Sequence, residues 1–221
     1  MACSCSSLVA ATARHFDAAK VRRELETYRS NGPAATARGL LNLLMGGEPP
    51  PESVLDIGAG FGALSLELLR GGTQHATCVD LSAAALAANA EEAERQGVGD
   101  RIQRVEGDFV AVSATLPSAQ LVALDRVICC YPAYAPLLEH AAAHSRHLLA
   151  MSYPRNRWWV RLALWAENAW RRLRGDPFRA FVHSPAAMAS VLSEHGFTRT
   201  RTAATFTWQM DLYGRSPTVT P

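Results

Sequence analysis

Four aspartates, Asp56, Asp80, Asp108 and Asp125, each stand where a short, mostly apolar run ends. The first falls within VLDIGAGFG, residues 54–62, where Gly58, Gly60 and Gly62 alternate before a run that reads as a helix over 63–70. Glycine serves where a ligand approaches the backbone closely or the chain turns through positive φ. A strand, a tight glycine turn and a helix start leave free N–H groups at the strand's carboxyl edge, which suits a nucleotide-type ligand. Asp80 lies about 20 residues beyond the turn, the spacing at which an acid binds both hydroxyls of a ribose. Asp108 can accept from the exocyclic amine of adenine, with Phe109 packing on the ring. Asp56 would repel a pyrophosphate and suits a ligand with a positive amino group in that place.

The surrounding pattern supplies the elements that position these acids. A short apolar run ending at Val54-Leu55 and runs at 75–80, 101–106, 120–124 and 148–153 read as strands, separated by helical stretches. Ser82 is a helix N-cap for 83–96, and Gly97 ends that helix. Such alternation implies parallel βαβ units with both sheet faces covered, and ligands at the carboxyl ends of the strands. Residues 15–29 and 34–45 read as helices broken at Ser30-Asn31-Gly32-Pro33, giving a helical cap over 1–48 before the main domain of 49–221. Tyr28, Arg29 and Arg38 are the polar groups of this cap that could reach the pocket. After Pro154 an insertion, 155–180, carries a helix over 157–173 with an apolar stripe of tryptophans, alanines and leucines and arginines opposite. That helix reads as core packing, a lid, a dimer contact or a peripheral membrane contact. Ser184-Pro185 opens the next helix, and 198–203 and 205–213 alternate like antiparallel strands.

Composition narrows the classes. The chain has 221 residues, 48% of them hydrophobic, enough for a sizeable core. A net charge of +2 argues against a broad nucleic-acid footprint. No apolar run reaches the ~18 residues of a membrane span. Five irregularly spaced cysteines fit a reducing, cytoplasmic setting better than a disulfide scaffold. Neither a secretory signal nor a transit peptide is expected at the N-terminus. Cys3 and Cys5 lack a partner pair at ligand spacing, so no metal site is expected.

Asp56-Ile57-Gly58-Ala59-Gly60-Phe61-Gly62, Asp80 and Gly107-Asp108 together resemble class I S-adenosylmethionine-dependent methyltransferases, over roughly residues 50–215. The resemblance implies an α/β, Rossmann-like, seven-stranded sheet of order 3-2-1-4-5-7-6 with strand 7 antiparallel, and S-adenosylmethionine as cofactor. It implies a cofactor-binding set of Asp56, Gly58, Ala59, Gly60, Asp80, Leu81, Asp108, Phe109 and Asp125. Within that set Asp80 holds the ribose, Asp108 and Phe109 frame the adenine, and Asp125 faces the methionine end. The stretches LDRVICCYP, MSYPRNRWW and FRAFVH are similar to a bacterial group of magnesium-protoporphyrin O-methyltransferase-like proteins, although the insertion differs. The expected activity is O- or N-methylation of a small, apolar or aromatic acceptor by in-line displacement, with Tyr131 and His183 as catalytic candidates on the acceptor side. Cys129 and Cys130 read as small buried residues. Two rivals remain. Gly58, Gly60 and Ala63 also satisfy the dinucleotide fingerprint of an NAD(P)-dependent oxidoreductase, and the fold can carry a non-catalytic interaction protein.

Overall fold

A computed structural model of the chain describes residues 11–46 and 49–215; Cys3 and Cys5 lie outside the described residues. The sheet has seven strands in the order β3-β2-β1-β4-β5-β7-β6. They are β1 (Ser53–Ile57), β2 (His75–Asp80), β3 (Ile102–Glu106), β4 (Ala119–Leu124), β5 (Ser145–Pro154), β6 (Phe197–Ala204) and β7 (Trp208–Arg215). The first five pair in parallel, whereas β7 runs antiparallel to both β5 and β6. This is the order and sense expected from the sequence.

The strands alternate faces. Val54, Ala76, Cys78, Leu121, Ala123, Ala150 and Met210 enter one buried cluster, and Leu55, Ile57, Val79, Val122, Leu124, Leu149 and Met151 enter the other. The first cluster is closed by α1 (Ala18–Asn31), α2 (Ala35–Leu44), α3 (Ala63–Arg70) and α4 (Ala83–Arg95). The second is closed by α5 (Phe109–Val112), α6 (Tyr134–His144) and α8 (Pro185–Glu194). Burial on both faces calls for near-continuous apolar strands, which β1 and β4 show, whereas the edge strands β3 and β6 are largely polar.

The N-terminal cap is tied down by polar contacts as well as apolar ones. Tyr28 donates to Glu67 at 2.7 Å, and Arg29 reaches Glu92 and Glu91 at 2.8 Å each. Helix α1 starts later than expected: Asp17 is its N-cap, accepting from the Lys20 amide, and leaves His15 and Phe16 outside the helix. Strand β5 is longer than expected at both ends: Ser145 already pairs with Ala119 of β4, and the pairing with antiparallel β7 continues to Pro154.

The insertion helix α7 (Trp158–Leu173) forms where expected but faces otherwise. Of its sixteen residues only Val160 is buried, so the core-packing reading fails. Leu164, Asn168 and Arg171 share the inward face with Val160, at the i, i+4, i+8, i+11 spacing. The tryptophan and leucine stripe points outward.

Candidate active site

Strand β1 stops at Ile57, and Gly58 and Ala59 both donate to Val79 O, at 2.8 and 3.1 Å, folding the turn against the end of β2. A Cβ on Gly58 would come within 2.5 Å of Val127, and its φ of 62° is one L-residues rarely adopt. Gly60 is different. It also has positive φ, 58°, but no protein atom lies within 4 Å of its added Cβ, because that side opens into a cavity.

The cavity has a volume of about 580 Å³, within the range usual for small-molecule sites. Asp56, Gly58, Ala59, Gly60, Asp80, Leu81, Phe109 and Asp125 line it, as does Tyr131. Asp108 and His183 do not. Three of the four strand-end aspartates, Asp56, Asp80 and Asp125, thus meet at one cavity, and Asp108 does not.

Asp80 accepts from the amides of Gly60 (2.7 Å, Oδ2) and Ser82 (2.8 Å, Oδ1). Each carboxylate oxygen has two acceptor positions, so one remains on each. Two parallel acceptors at a cavity wall match a vicinal diol. Burial raises the Asp80 pKa above its ordinary value, against the lowering by the Ser82, Gly60 and Leu81 amides. Asp56 is fully buried and accepts from Ser65 Oγ at 2.5 Å. Its pKa is pushed up to about 7, first by burial and then by the charges of Asp125 and Asp80. Asp125 is held by Ser152 at 2.5 Å and by Thr36 of the N-terminal cap at 3.2 Å. Arg126 follows at φ 60°, fixed by a 2.8 Å bond from its amide to Ser152 Oγ. Three carboxylates thus face one end of the cavity, and Asp56 and Asp80 have no cation beside them among the described residues.

Asp108 is turned inward. It caps α5 by accepting from the Val110 amide at 3.3 Å, and it accepts from the Tyr131 hydroxyl. The Tyr131 phenol is pushed well up by burial, then by Asp108, which disfavours the phenolate. His183 lies behind the cavity wall. Its Nε2 meets the carbonyls of Tyr131 (2.8 Å) and Ile128 (3.1 Å), so it carries the proton there. Burial lowers its pKa. The ring braces the loop that presents Tyr131 and does not reach the cavity.

Much of the rest of the lining comes from residues that sequence spacing does not connect: His15, Phe16 and Lys20 before and within α1, Arg126 after β4, and Leu164, Arg171 and Phe178 of the insertion. His15 stacks on Phe178 at 4.0 Å; its Nε2 accepts from Lys20 Nζ at 2.8 Å, and Arg171 Nη1 lies 3.2 Å from its Nδ1. Burial first, then Lys20 and Arg171, lower its pKa to about 4, so it is neutral at pH 7. Arg171 pairs with Glu167 and lies 3.6 Å from Asp176, while its buried Nε has no partner. Cys129 and Cys130 also line this region; Cys129 is buried and Cys130 partly so. Of the cap residues expected near the pocket, Tyr28 lines it, whereas Arg29 is spent on Glu91 and Glu92 and Arg38 on Pro33 O.

This is the class I methyltransferase fold. A family model described as "Methyltransferase domain" matches residues 54–149, the segment that carries Asp56, the glycine turn, Asp80, Asp108 and Asp125. Among solved structures, magnesium protoporphyrin IX methyltransferase from Synechocystis PCC 6803, with bound S-adenosylhomocysteine, superposes with a TM-score of 0.67 at 21% identity, covering 89% of this chain and 87% of that one. An O-methyltransferase family 2 protein from Planctomyces limnophilus, in complex with apigenin, gives 0.68 at 17% identity, covering 89% of this chain and 62% of that one. An O-methyltransferase family protein from Burkholderia thailandensis gives 0.64 at 14% identity, over 89% and 57%. No curated protein sequence matches the chain.

Proposed function

We propose that the chain is an S-adenosylmethionine-dependent methyltransferase acting on an ionised oxygen of a small acceptor with an apolar or aromatic body. The observation that carries the cofactor is the acidic end of the cavity. Asp80 offers two free acceptor positions to a ribose, and Gly60 leaves open space beside them. Asp56 is held near half-ionised for want of a cation, a want that an ammonium or sulfonium group fills. A dinucleotide pyrophosphate would meet Asp56 and Asp125 at short range, which counts against the oxidoreductase reading.

When bound, the sulfonium supplies an activated methyl group. The S–CH3 bond breaks as the O–CH3 bond forms, and sulfur keeps the electron pair and becomes a neutral thioether. The chain's task is positioning, worth up to several kcal/mol of barrier. A carboxylate or phenolate that arrives ionised has no proton to lose, which fits a site where the Tyr131 phenolate is disfavoured and His183 does not reach the cavity. Lys20 and Arg171 offer N–H donors to the acceptor beside the carboxylates Glu24 and Glu167, and Phe16 and Phe178 give it an aromatic wall. His183 is assigned as a positioning residue for the Tyr131 loop, and Asp108 as the anchor of Tyr131.

The test is transfer of labelled methyl from S-adenosylmethionine to a panel of aromatic carboxylic acids, phenols and amines. The reading expects label in carboxylic acids or phenols, released by base where the product is a methyl ester. Label only in amines overturns the acceptor assignment. Tight nicotinamide-nucleotide binding without S-adenosylmethionine binding overturns the enzyme class.

A further inference from the structure

The outward face of α7 is the largest unexplained feature of the surface. Trp158 (73% exposed), Leu162 (55%), Trp165 (68%) and Leu173 (82%) lie at i, i+4, i+7 and i+15 on one side of the helix. Trp170, 55% exposed, lies beside them. Phe206, at the turn between β6 and β7, extends the patch: it is 74% exposed and stacks at 5.9 Å on Trp159, which meets Trp158 edge-on. An exposed contiguous patch of this kind marks an interaction surface.

Charge decides what fits it. Residues 155–174 contain six arginines and one carboxylate, Glu167, which is taken by Arg171 on the inward side. Arg157, Arg161 and Arg172 are exposed and make no ion pair among the described residues. Arg161 and Arg172 border the apolar stripe, and Arg174 lies over the Trp170 ring at 4.5 Å. A second copy seated on this face about a two-fold axis would bring the two arginine sets together with no acid to offset them. A surface of anionic lipid headgroups offers the opposite sign, and indole rings sit well at the boundary between headgroups and acyl chains. No helix among the described residues is long and apolar enough to cross a membrane, so the contact is with the surface.

We propose that α7 docks the protein onto an anionic lipid surface, with Trp158, Leu162, Trp165, Leu173 and Phe206 entering the headgroup layer and Arg157, Arg161 and Arg172 meeting its phosphates. The helix that docks is also the helix whose inward side, through Leu164, Glu167 and Arg171, forms a wall of the cavity. Docking therefore sets that wall of the cavity against the lipid.

The proposal is tested with the full chain, cofactor absent, by co-sedimentation with phosphatidylcholine vesicles with and without about 30% phosphatidylglycerol. Binding to the anionic vesicles is expected, with a blue shift of tryptophan emission and a steep loss at high salt. The triple variant Trp158→Ser, Leu162→Ser, Trp165→Ser should lower partitioning roughly tenfold or more. Arg161→Glu with Arg172→Glu should abolish the preference for the anionic vesicles. All five positions are exposed, so the variants should keep the circular dichroism spectrum and melting point of the parent. Absence of vesicle binding, or equal binding to neutral and anionic vesicles, overturns the proposal. So does a stable dimer at micromolar concentration that the triple variant breaks, because a second copy then covers the face. These readouts need neither cofactor nor acceptor, so they stand or fall apart from the methyltransferase reading. Asp80→Ala should leave them unchanged.

Discussion

Asp80→Ala tests the grip on the cofactor at its strongest point. The side chain spends one acceptor position of each oxygen on the Gly60 and Ser82 amides, and the proposal spends the other two on a ribose diol. A hydrogen bond to a charged group is worth about 1.5–3 kcal/mol, so two are worth at least ~3 kcal/mol. At about 1.4 kcal/mol per factor of ten, affinity should fall by roughly a hundredfold or more. Folding is affected too, because the amides of Gly60 and Ser82 lose their acceptor. They lie at a cavity wall where water can replace it, so the loss of stability should be about 1–3 kcal/mol. Asp80→Asn keeps one carbonyl oxygen and should fall between the parent and the alanine variant in both respects. Isothermal titration with S-adenosylhomocysteine measures the affinity and urea unfolding the stability. An alanine variant that stays folded and binds S-adenosylhomocysteine as tightly as the parent refutes the assignment of Asp80.

Asp56 makes a pH prediction. Its folded pKa of about 7 exceeds the ordinary 3.8, so the folded protein holds the proton more tightly than the unfolded chain. Stability from this group therefore falls as pH rises from about 4 to 7, and Asp56→Asn should flatten that slope in urea unfolding across the range. A bound cation favours the charged carboxylate, so cofactor binding near pH 6 should release protons, measurable as a dependence of binding heat on buffer ionisation; no release contradicts the ammonium assignment. Gly58→Ala puts a methyl group 2.5 Å from Val127 at positive φ and should destabilise the fold by roughly 1–3 kcal/mol while weakening cofactor binding, seen as a lower melting point and a raised Kd. His183→Gln keeps a donor for the loop carbonyls, so kcat should drop less than about tenfold with the pH–rate profile unchanged. Loss of the acidic limb of the profile together with a hundredfold drop would make His183 a base after all.

The meeting of Asp56, the glycine turn, Asp80 and Asp125 at one cavity was legible because its parts are local. Glycines at alternate positions after a short apolar run, with an acid at each later strand end, encode strand, turn and ligand edge within one βαβ unit each. Ser82 and Gly97 bounded α4 for the same reason, through capping chemistry that acts over three residues. The acceptor half was not legible. His15, Lys20, Arg126, Arg171 and Phe178 are brought together by the crossing of the N-terminal cap over the sheet and by the return of the insertion. Nothing in their spacing announces that meeting. Asp17 before an Ala-Ala-Lys run was a readable N-cap that would have excluded His15 from α1 and left it free to face the cavity. Periodicity gave α7 its two faces but not their direction. A stripe of tryptophans reads as core until tertiary structure shows Val160 and Leu164 turned inward instead. His183 shows the limit of reading roles from residue type, since two backbone carbonyls fix its Nε2 proton.

A crystal structure of the protein with S-adenosylhomocysteine bound tests the central claim most directly. The account predicts both ribose hydroxyls within hydrogen-bonding distance of the Asp80 carboxylate, the adenine against Leu81 and Phe109, and the amino group on the side of Asp56 and Asp125. Density for the ligand elsewhere on the molecule, or a ribose turned away from Asp80, would contradict it.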